Sequence, residues 1–276
     1  MSGIFERKQF EGRSRRLLAT LSALFMLGLT GCWTTVSSEP KVDPIALAAA
    51  VRDVGLDQLR QANYSMAIRK LQQAELKNPN DPLVYYGLGE AYRRKGLLDE
   101  AELNLLKSLE VSPDSQAPSH QLAVLTLAAV YLQEERYGEA EALCDVLIVD
   151  PTYDRPWEAL NVRGWAQYKS GQVEKARESY LEALSFRSDY PVAHFNLGIL
   201  DHGQRRWPEA LSELQLAAES RGLAPSARSE AHFLMAEIYM IQGRRSEAIR
   251  SFGLAIEIAP DGKWAEESRS KLENLL

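Results

Sequence analysis

Small and apolar residues recur along most of the chain in six spaced copies. One column holds only alanine: Ala67, Ala101, Ala140, Ala176, Ala210 and Ala248. Four positions later each copy has a larger residue: Leu71, Leu105, Cys144, Tyr180, Leu214 and Phe252. Twelve positions before the alanine each copy has a small one: Gly55, Gly89, Ala128, Gly164, Gly198 and Ala236. This spacing predicts a pair of amphipathic helices in each copy, because small residues let two helices cross closely and larger side chains fill the grooves.

The copies resemble the tetratricopeptide repeat (TPR), in which small residues mark the helix crossing and a proline follows the second helix. Four copies end in such a proline: Pro79, Pro113, Pro151 and Pro260. The resemblance implies an all-α, right-handed superhelical solenoid, and residues 263–276 are expected to cap its apolar end as a final helix. Extra residues at 116–120 and 225–228 are expected in turns. The six repeats, within 48–262, are predicted near 48–81, 82–115, 121–154, 157–190, 191–224 and 229–262.

The first 31 residues have the pattern of a bacterial export signal. A cationic segment with Arg15 and Arg16 precedes an apolar run from residue 17 to 31. At 1.5 Å per residue this run extends about 22 Å, which is short of the ~30 Å hydrocarbon core, so a permanent transmembrane helix is the weaker interpretation. The run ends in Leu29-Thr30-Gly31-Cys32, which resembles the lipobox of bacterial lipoproteins.

That resemblance implies removal of residues 1–31 as a signal peptide and attachment of fatty acyl chains such as palmitate to Cys32. Residues 32–47 are expected to form a flexible tether behind the anchor. Trp33, in place of an aspartate, resembles lipoproteins sent to the outer membrane of Gram-negative bacteria. The expected location is therefore the periplasmic face of the outer membrane.

Composition and motifs disfavour several other classes of protein. The 276 residues carry a net charge of −6, which is unlike the basic surface of a nucleic-acid binder. The four histidines lack metal-ligand spacing, and no G-x-S-x-G motif occurs. We therefore expect no enzyme activity, metal, cofactor or small-molecule substrate. Cys144 is expected to be a small buried apolar residue. Arg163 stands where the repeats favour leucine. We expect either that Arg163 pairs with an acidic residue or that Trp165 takes over the packing of the missing leucine.

The TPR resemblance also implies where a protein partner would bind. First helices of such repeats line a concave groove, and the corresponding positions here are rich in aromatic and aliphatic residues. The predicted groove residues are Tyr86, Arg93, Leu122, Leu125, Asn161, Trp165, Tyr168, Phe195, Ile199 and Phe233. Such a surface suits an amphipathic or extended apolar protein segment.

A lipobox followed by six TPR units resembles the pilotin lipoproteins of type IV pilus biogenesis. Membership would imply binding of secretin subunits, promotion of their membrane localisation and multimerisation, and a role in pilus-driven motility. The alternative is a general periplasmic TPR scaffold or adaptor for β-barrel assembly or for cell-wall enzymes.

Overall fold

The computed structural model describes residues 43–275, which form thirteen α-helices and no strand. Six helix pairs follow one another along the chain, and a single helix ends the series. The helices are α1 (Pro44–Arg60), α2 (Tyr64–Glu75), α3 (Pro82–Arg94), α4 (Leu98–Val111), α5 (Pro118–Gln133), α6 (Tyr137–Val149), α7 (Pro156–Lys169), α8 (Val173–Phe186), α9 (Pro191–Gly203), α10 (Trp207–Glu219), α11 (Pro225–Ile241), α12 (Arg245–Ile258) and α13 (Lys263–Glu273). This architecture confirms the predicted all-α solenoid of six pairs with a final helix.

Every first helix of a pair begins with proline. The six residues are Pro44, Pro82, Pro118, Pro156, Pro191 and Pro225. Proline suits the first helical position because its fixed φ matches the helix and its missing N–H has no helical partner there. The expectation of turns at 116–120 and 225–228 is therefore wrong in part, since Pro118 and Pro225 start helices and the extra residues lengthen α5 and α11.

The small residues of the repeat allow the two helices of a pair to touch. An added Cβ at Gly89 would lie 2.5 Å from Leu105 Cγ, and one at Gly198 would lie 2.7 Å from Leu214 Cδ2. Contacts this short are not available to a larger residue without a shift of the leucine. Helix packing thus explains Gly89, and it explains Gly87 as well, because a Cβ added to Gly87 would lie 2.8 Å from Leu56 Cδ2 of the preceding pair.

The turn between the two helices of each pair contains one residue in the left-handed backbone region. These residues are Ala62, Gly96, Glu135, Gly171, Arg205 and Gly243. Three are glycine, the residue that adopts positive φ without steric cost. The same turn geometry therefore recurs in all six pairs, although half of the sequences do not use glycine for it.

Two residues that interrupt the repeat pattern have clear places in the structure. Cys144 is fully buried on α6, as expected, and burial raises the pKa of its thiol to about 12, so the reactive thiolate is scarce at neutral pH. Arg163 donates to Asp145 Oδ1 at 3.1 Å and to Glu182 Oε2 at 2.9 Å. The ion pair with acidic residues is thus the alternative that the structure supports for Arg163.

Residues Pro44–Leu276 form a compact unit with its own apolar cores. Helix α13 packs on both α11 and α12, where Trp264 contacts Phe233. Among residues 43–275, no helix is both long and apolar enough to cross a membrane. The predicted signal peptide, Cys32 and residues 33–42 of the tether lie outside the described residues. Residues 44–47, which were predicted as tether, instead form the first turn of α1, because Pro44 starts this helix as the other prolines start theirs.

Candidate functional site

The first helices form one continuous wall of the described unit. Each first helix contacts the first helix of the next pair, from α1 with α3 to α9 with α11. Within residues 43–275, no second helix makes such contact with another second helix. The first helices therefore lie on the inner side of the stack, and side chains between their contact lines face the groove.

A cavity of about 300 Å³ lies on this wall across the second, third and fourth pairs. It brings together four predicted groove residues, namely Tyr86, Arg93, Leu122 and Leu125, all of which are half-buried. Aromatic and aliphatic side chains thus lie beside charged groups. A surface of this composition can take apolar side chains of another polypeptide while polar atoms at its edge accept or donate hydrogen bonds.

The charges at this cavity are paired within the protein. Glu90 accepts hydrogen bonds from Arg93 Nε at 2.7 Å and from Arg94 Nε at 2.6 Å. Burial alone would raise the pKa of Glu90, but the two arginines outweigh it and lower this pKa below its usual range. Glu90 is therefore ionised at neutral pH, and the pairing holds the guanidinium groups at the cavity wall.

The lining also includes residues that sequence reasoning missed, among them Arg155, Glu158 and Tyr190. Arg155 Nη1 donates to Glu158 Oε2 at 3.1 Å, and burial together with Glu158 raises the pKa of Tyr190 to about 12. Arg155 and Tyr190 immediately precede the prolines that start α7 and α9. Those prolines were the available signal, because proline disfavours the helical conformation in the residue before it and so places that residue just outside the helix.

Further along the wall, Trp165, Tyr168 and Ile199 remain half-buried. The rings of Trp165 and Tyr168 lie 5.4 Å apart between centroids, and Lys169 Nζ lies 5.9 Å from the Trp165 centroid. These three predicted residues are accessible in part on first helices α7 and α9. They extend the apolar stripe beyond the cavity at the second to fourth pairs.

Three predicted groove residues instead belong to the protein's own packing. Phe233 is 3% exposed, because its ring packs against Trp264 at 4.9 Å and Phe252 at 5.6 Å between centroids. Phe195 is 8% exposed and is part of the same apolar core. Asn161 is buried as well and accepts a hydrogen bond from Asn196 Nδ2 at 2.9 Å. We therefore correct these three assignments from partner contact to structural support.

A second cavity, of about 440 Å³, lies where α13 closes the C-terminal end of the stack. Its lining includes Met240, Ile241 and Leu275. At the same cavity, Glu237 Oε1 lies 3.7 Å from Lys271 Nζ, and Glu237 Oε2 lies 3.8 Å from His202 Nε2. Burial lowers the pKa of His202, partly opposed by the charge of Glu237. This cavity is mainly apolar, and none of its residues is among the ten predicted for the groove.

Comparisons with known proteins agree on the repeat. Models of the tetratricopeptide repeat match residues 53–115 and 229–261, and a TPR repeat model matches residues 164–204. Among curated proteins, mouse Superkiller complex protein 3 is 33% identical over 94 residues. That match covers 34% of this chain but only 6% of the mouse protein.

Two solved structures of similar size have the same fold. A structure of PilW, described as a widely conserved type IV pilus biogenesis factor, has a TM-score of 0.68 at 18% identity and covers 80% of this chain and 97% of PilW. The structure of Pseudomonas aeruginosa pilF has a TM-score of 0.64 at 16% identity, and the match covers 81% of this chain and 97% of the pilF chain. A chain in the structure of the APC/C hetero-tetramer Cut9-Hcn1 has a TM-score of 0.69 at 16% identity. This match covers 83% of the present chain and 43% of the matched chain.

The helix pairs and the repeat matches define the class: this is a TPR-repeat protein. Its solenoid is structurally close to PilW and pilF at low sequence identity, a likeness of fold.

Proposed function

We propose that this protein is an outer-membrane lipoprotein of type IV pilus biogenesis that binds secretin subunits through its TPR groove. Binding would bring the subunits to the membrane and promote their multimerisation into the pore through which the pilus passes. The protein would act by binding, without enzyme chemistry. Its lipid anchor at Cys32 would keep the groove at the membrane and raise its effective concentration there.

The observation that carries this proposal is the half-buried wall formed by Tyr86, Leu122 and Leu125 beside internally paired charges. Glu90 pairs with Arg93 and Arg94, and Glu158 pairs with Arg155, so these five charges leave a net charge of only +1 for an incoming segment to meet. Such a wall favours an apolar or amphipathic segment over a strongly charged one. Subunits of a membrane-inserting ring carry apolar surface that must be shielded before assembly.

The fold supports the assignment to the pilus machinery. The chain spans 97% of both PilW and pilF, and its helix pairs occupy the same overall arrangement as theirs. A general periplasmic scaffold is the second candidate. The similarity to a chain of the Cut9-Hcn1 structure, of which 43% is covered, favours this candidate, because it shows the same solenoid within a different assembly.

The groove can be tested with two double variants of the full chain in its native host. Tyr86→Ala with Leu125→Ser alters the cavity wall, and we expect loss of the heat- and detergent-resistant secretin multimers on an immunoblot. Leu103→Ser with Leu106→Ser is the matched control, because these leucines are 69% and 46% exposed on α4, outside the groove. Normal multimers in the groove variant, with unchanged circular dichroism, would contradict the groove as the binding site.

The anchor has its own test. Cys32→Ala should leave the protein out of the outer-membrane fraction and reduce secretin multimers at that membrane.

Deletion of the gene distinguishes the two candidate functions. Normal multimers and piliation combined with general envelope fragility would exclude the pilus role and favour the scaffold.

A further inference from the structure

The outward face of α2, the second helix of the first pair, has an unusual charge. Met66, Arg69, Lys70 and Gln73 lie within about 100° of one another around the axis of α2. Leu76 and Lys77 follow directly after its last residue and complete the set. This set, here called the basic face, contains three cations and no acidic residue. The buried residues Ala67, Leu71 and Ala74 lie on the opposite side, so the basic face points away from the stack.

The other five pairs provide an internal comparison. The six equivalent positions on each of α4, α6, α8, α10 and α12 have a net negative charge of one to three. For example, α10 has Glu209, Glu213 and Glu219 at these positions, with no cation. The repeat itself therefore does not require a basic outer face, and the first pair differs from all the others in sign.

The cations of the basic face are available to a ligand. Among residues 43–275, no carboxylate lies within 4 Å of the charged atoms of Arg69, Lys70 or Lys77. Their nearest polar contacts are neutral: Arg69 lies 3.5 Å from Met66 Sδ, and Lys70 Nζ lies 3.5 Å from Gln73 Oε1. Lys95, at the end of α3, adds a fourth cation beside Ser65, with Nζ 3.4 Å from Oγ.

Exposed apolar side chains lie among these cations. Leu76 is 87% exposed and Met66 is 39% exposed. Arg69, Met66 and Lys95 also line a shallow depression of about 570 Å³ with Tyr64. Cations flanking exposed aliphatic side chains are the composition of a surface that lies on anionic lipid, where the charges meet headgroups and the apolar groups enter the acyl boundary.

We propose that the basic face docks on anionic phospholipid headgroups and orients the solenoid on the membrane. The inference rests on the proposed anchoring at Cys32, which places a bilayer near this pair: the eleven residues 33–43 reach at most about 40 Å when fully extended. The acidic outer faces of later pairs do not oppose docking of the first, because physiological salt screens charges beyond about 8 Å.

The test uses residues 44–276, which form a compact unit and lack both the apolar signal and the lipid site. Sedimentation with vesicles of phosphatidylglycerol and phosphatidylethanolamine should carry down the protein, whereas pure phosphatidylcholine vesicles should not, and added salt should release it. Arg69→Gln with Lys70→Gln and Lys77→Gln should lower the partition coefficient about 100-fold, since each cation contributes about five-fold. Leu76→Asn alone should lower it about ten-fold.

The matched control removes three cations from the outer faces of other second helices: Lys107→Gln, Lys175→Gln and Arg250→Gln. It has the same net charge as the first triple variant, and we expect vesicle binding close to wild type. Equal loss in both triple variants, or equal wild-type binding to phosphatidylcholine, would overturn the proposal. The proposal would also be overturned if the variant with Arg69→Gln, Lys70→Gln and Lys77→Gln binds vesicles normally but forms no secretin multimers in cells, because the basic face would then bind protein. Failure of vesicle binding leaves the groove variants informative, so the two proposals fail separately.

Discussion

Gly164 lies directly against the ring of Tyr180 across the helix pair α7–α8. A Cβ added to Gly164 would lie 2.6 Å from Tyr180 Cε1 and 2.8 Å from Cδ1. Tyr180 is fully buried, so its ring has no open space into which it can move. The same sixteen-residue relationship joins Gly89 to Leu105 and makes this contact the common crossing point of the pairs.

Gly164→Ala should therefore destabilise the protein by about 1–3 kcal/mol, the usual cost of overpacking a filled core. Gly253→Ala is the control, because Gly253 is inside α12 with no atom within 4 Å of its added Cβ. That change should stabilise the protein by about 0.5–1 kcal/mol, since alanine favours a helix interior. Urea unfolding measures both, and equal effects would contradict the steric explanation.

The hydroxyl of Tyr180 is buried without a hydrogen-bond partner among residues 43–275. Burial raises the pKa of this phenol, so the group stays neutral. Tyr180→Phe should leave the free energy of unfolding unchanged or increase it by up to about 1 kcal/mol, because the desolvated hydroxyl is removed.

Tyr131→Phe provides the comparison, since Tyr131 donates to Glu102 Oε1 at 2.9 Å. Tyr131→Phe should lower the free energy of unfolding by about 1 kcal/mol. A larger loss for Tyr180→Phe than for Tyr131→Phe would show that the Tyr180 hydroxyl is bonded in solution.

Two arginines, Arg177 and Arg163, form ion pairs that should differ sharply in their importance. Arg177 donates to Asp201, which is 1% exposed, so Arg177→Met would leave a buried carboxylate without its cation. We expect a loss of about 3–5 kcal/mol. Arg163→Met removes the pairs with Asp145 and Glu182, whose side chains are about half exposed, and should cost about 0–1 kcal/mol. Chemical denaturation compares them, and similar losses would contradict the role of burial.

His194 is held by two acceptors. Its Nδ1 lies 2.6 Å from Glu213 Oε2 and its Nε2 lies 3.0 Å from the Ser188 carbonyl oxygen. Both ring nitrogens donate only in the protonated imidazolium. The hydrogen bond to Glu213 raises the pKa of His194, partly opposed by burial.

A histidine whose pKa is higher in the folded state stabilises that state fully below its unfolded pKa of about 6.5. This contribution should disappear as the pH rises through the raised folded pKa. The free energy of unfolding, relative to His194→Gln, should therefore decline from weakly acidic to weakly alkaline pH. A difference that is independent of pH, or that grows with pH, would exclude the charged pair.

The fold was accessible from the sequence because the determining contacts are local. Small residues such as Gly89 and large ones such as Leu105 are sixteen positions apart within one helix pair, so each repeat contains its own packing rule. Helix starts were less accurate, since the prediction relied on the repeat columns and gave too little weight to prolines such as Pro118 and Pro225.

The groove depended on contacts that no single repeat encodes. The repeat pattern in the sequence predicted six helix pairs, and its resemblance to the TPR implied a stack with the first helices on one wall. Only the tertiary structure decided which wall residues remain accessible: Trp264 of the final helix covers Phe233, and Asn196 meets Asn161 from 35 positions away. The physical reason is that exposure at a given helical position depends on the neighbouring element that packs over it, whereas helix formation and pairing depend on residues close in sequence.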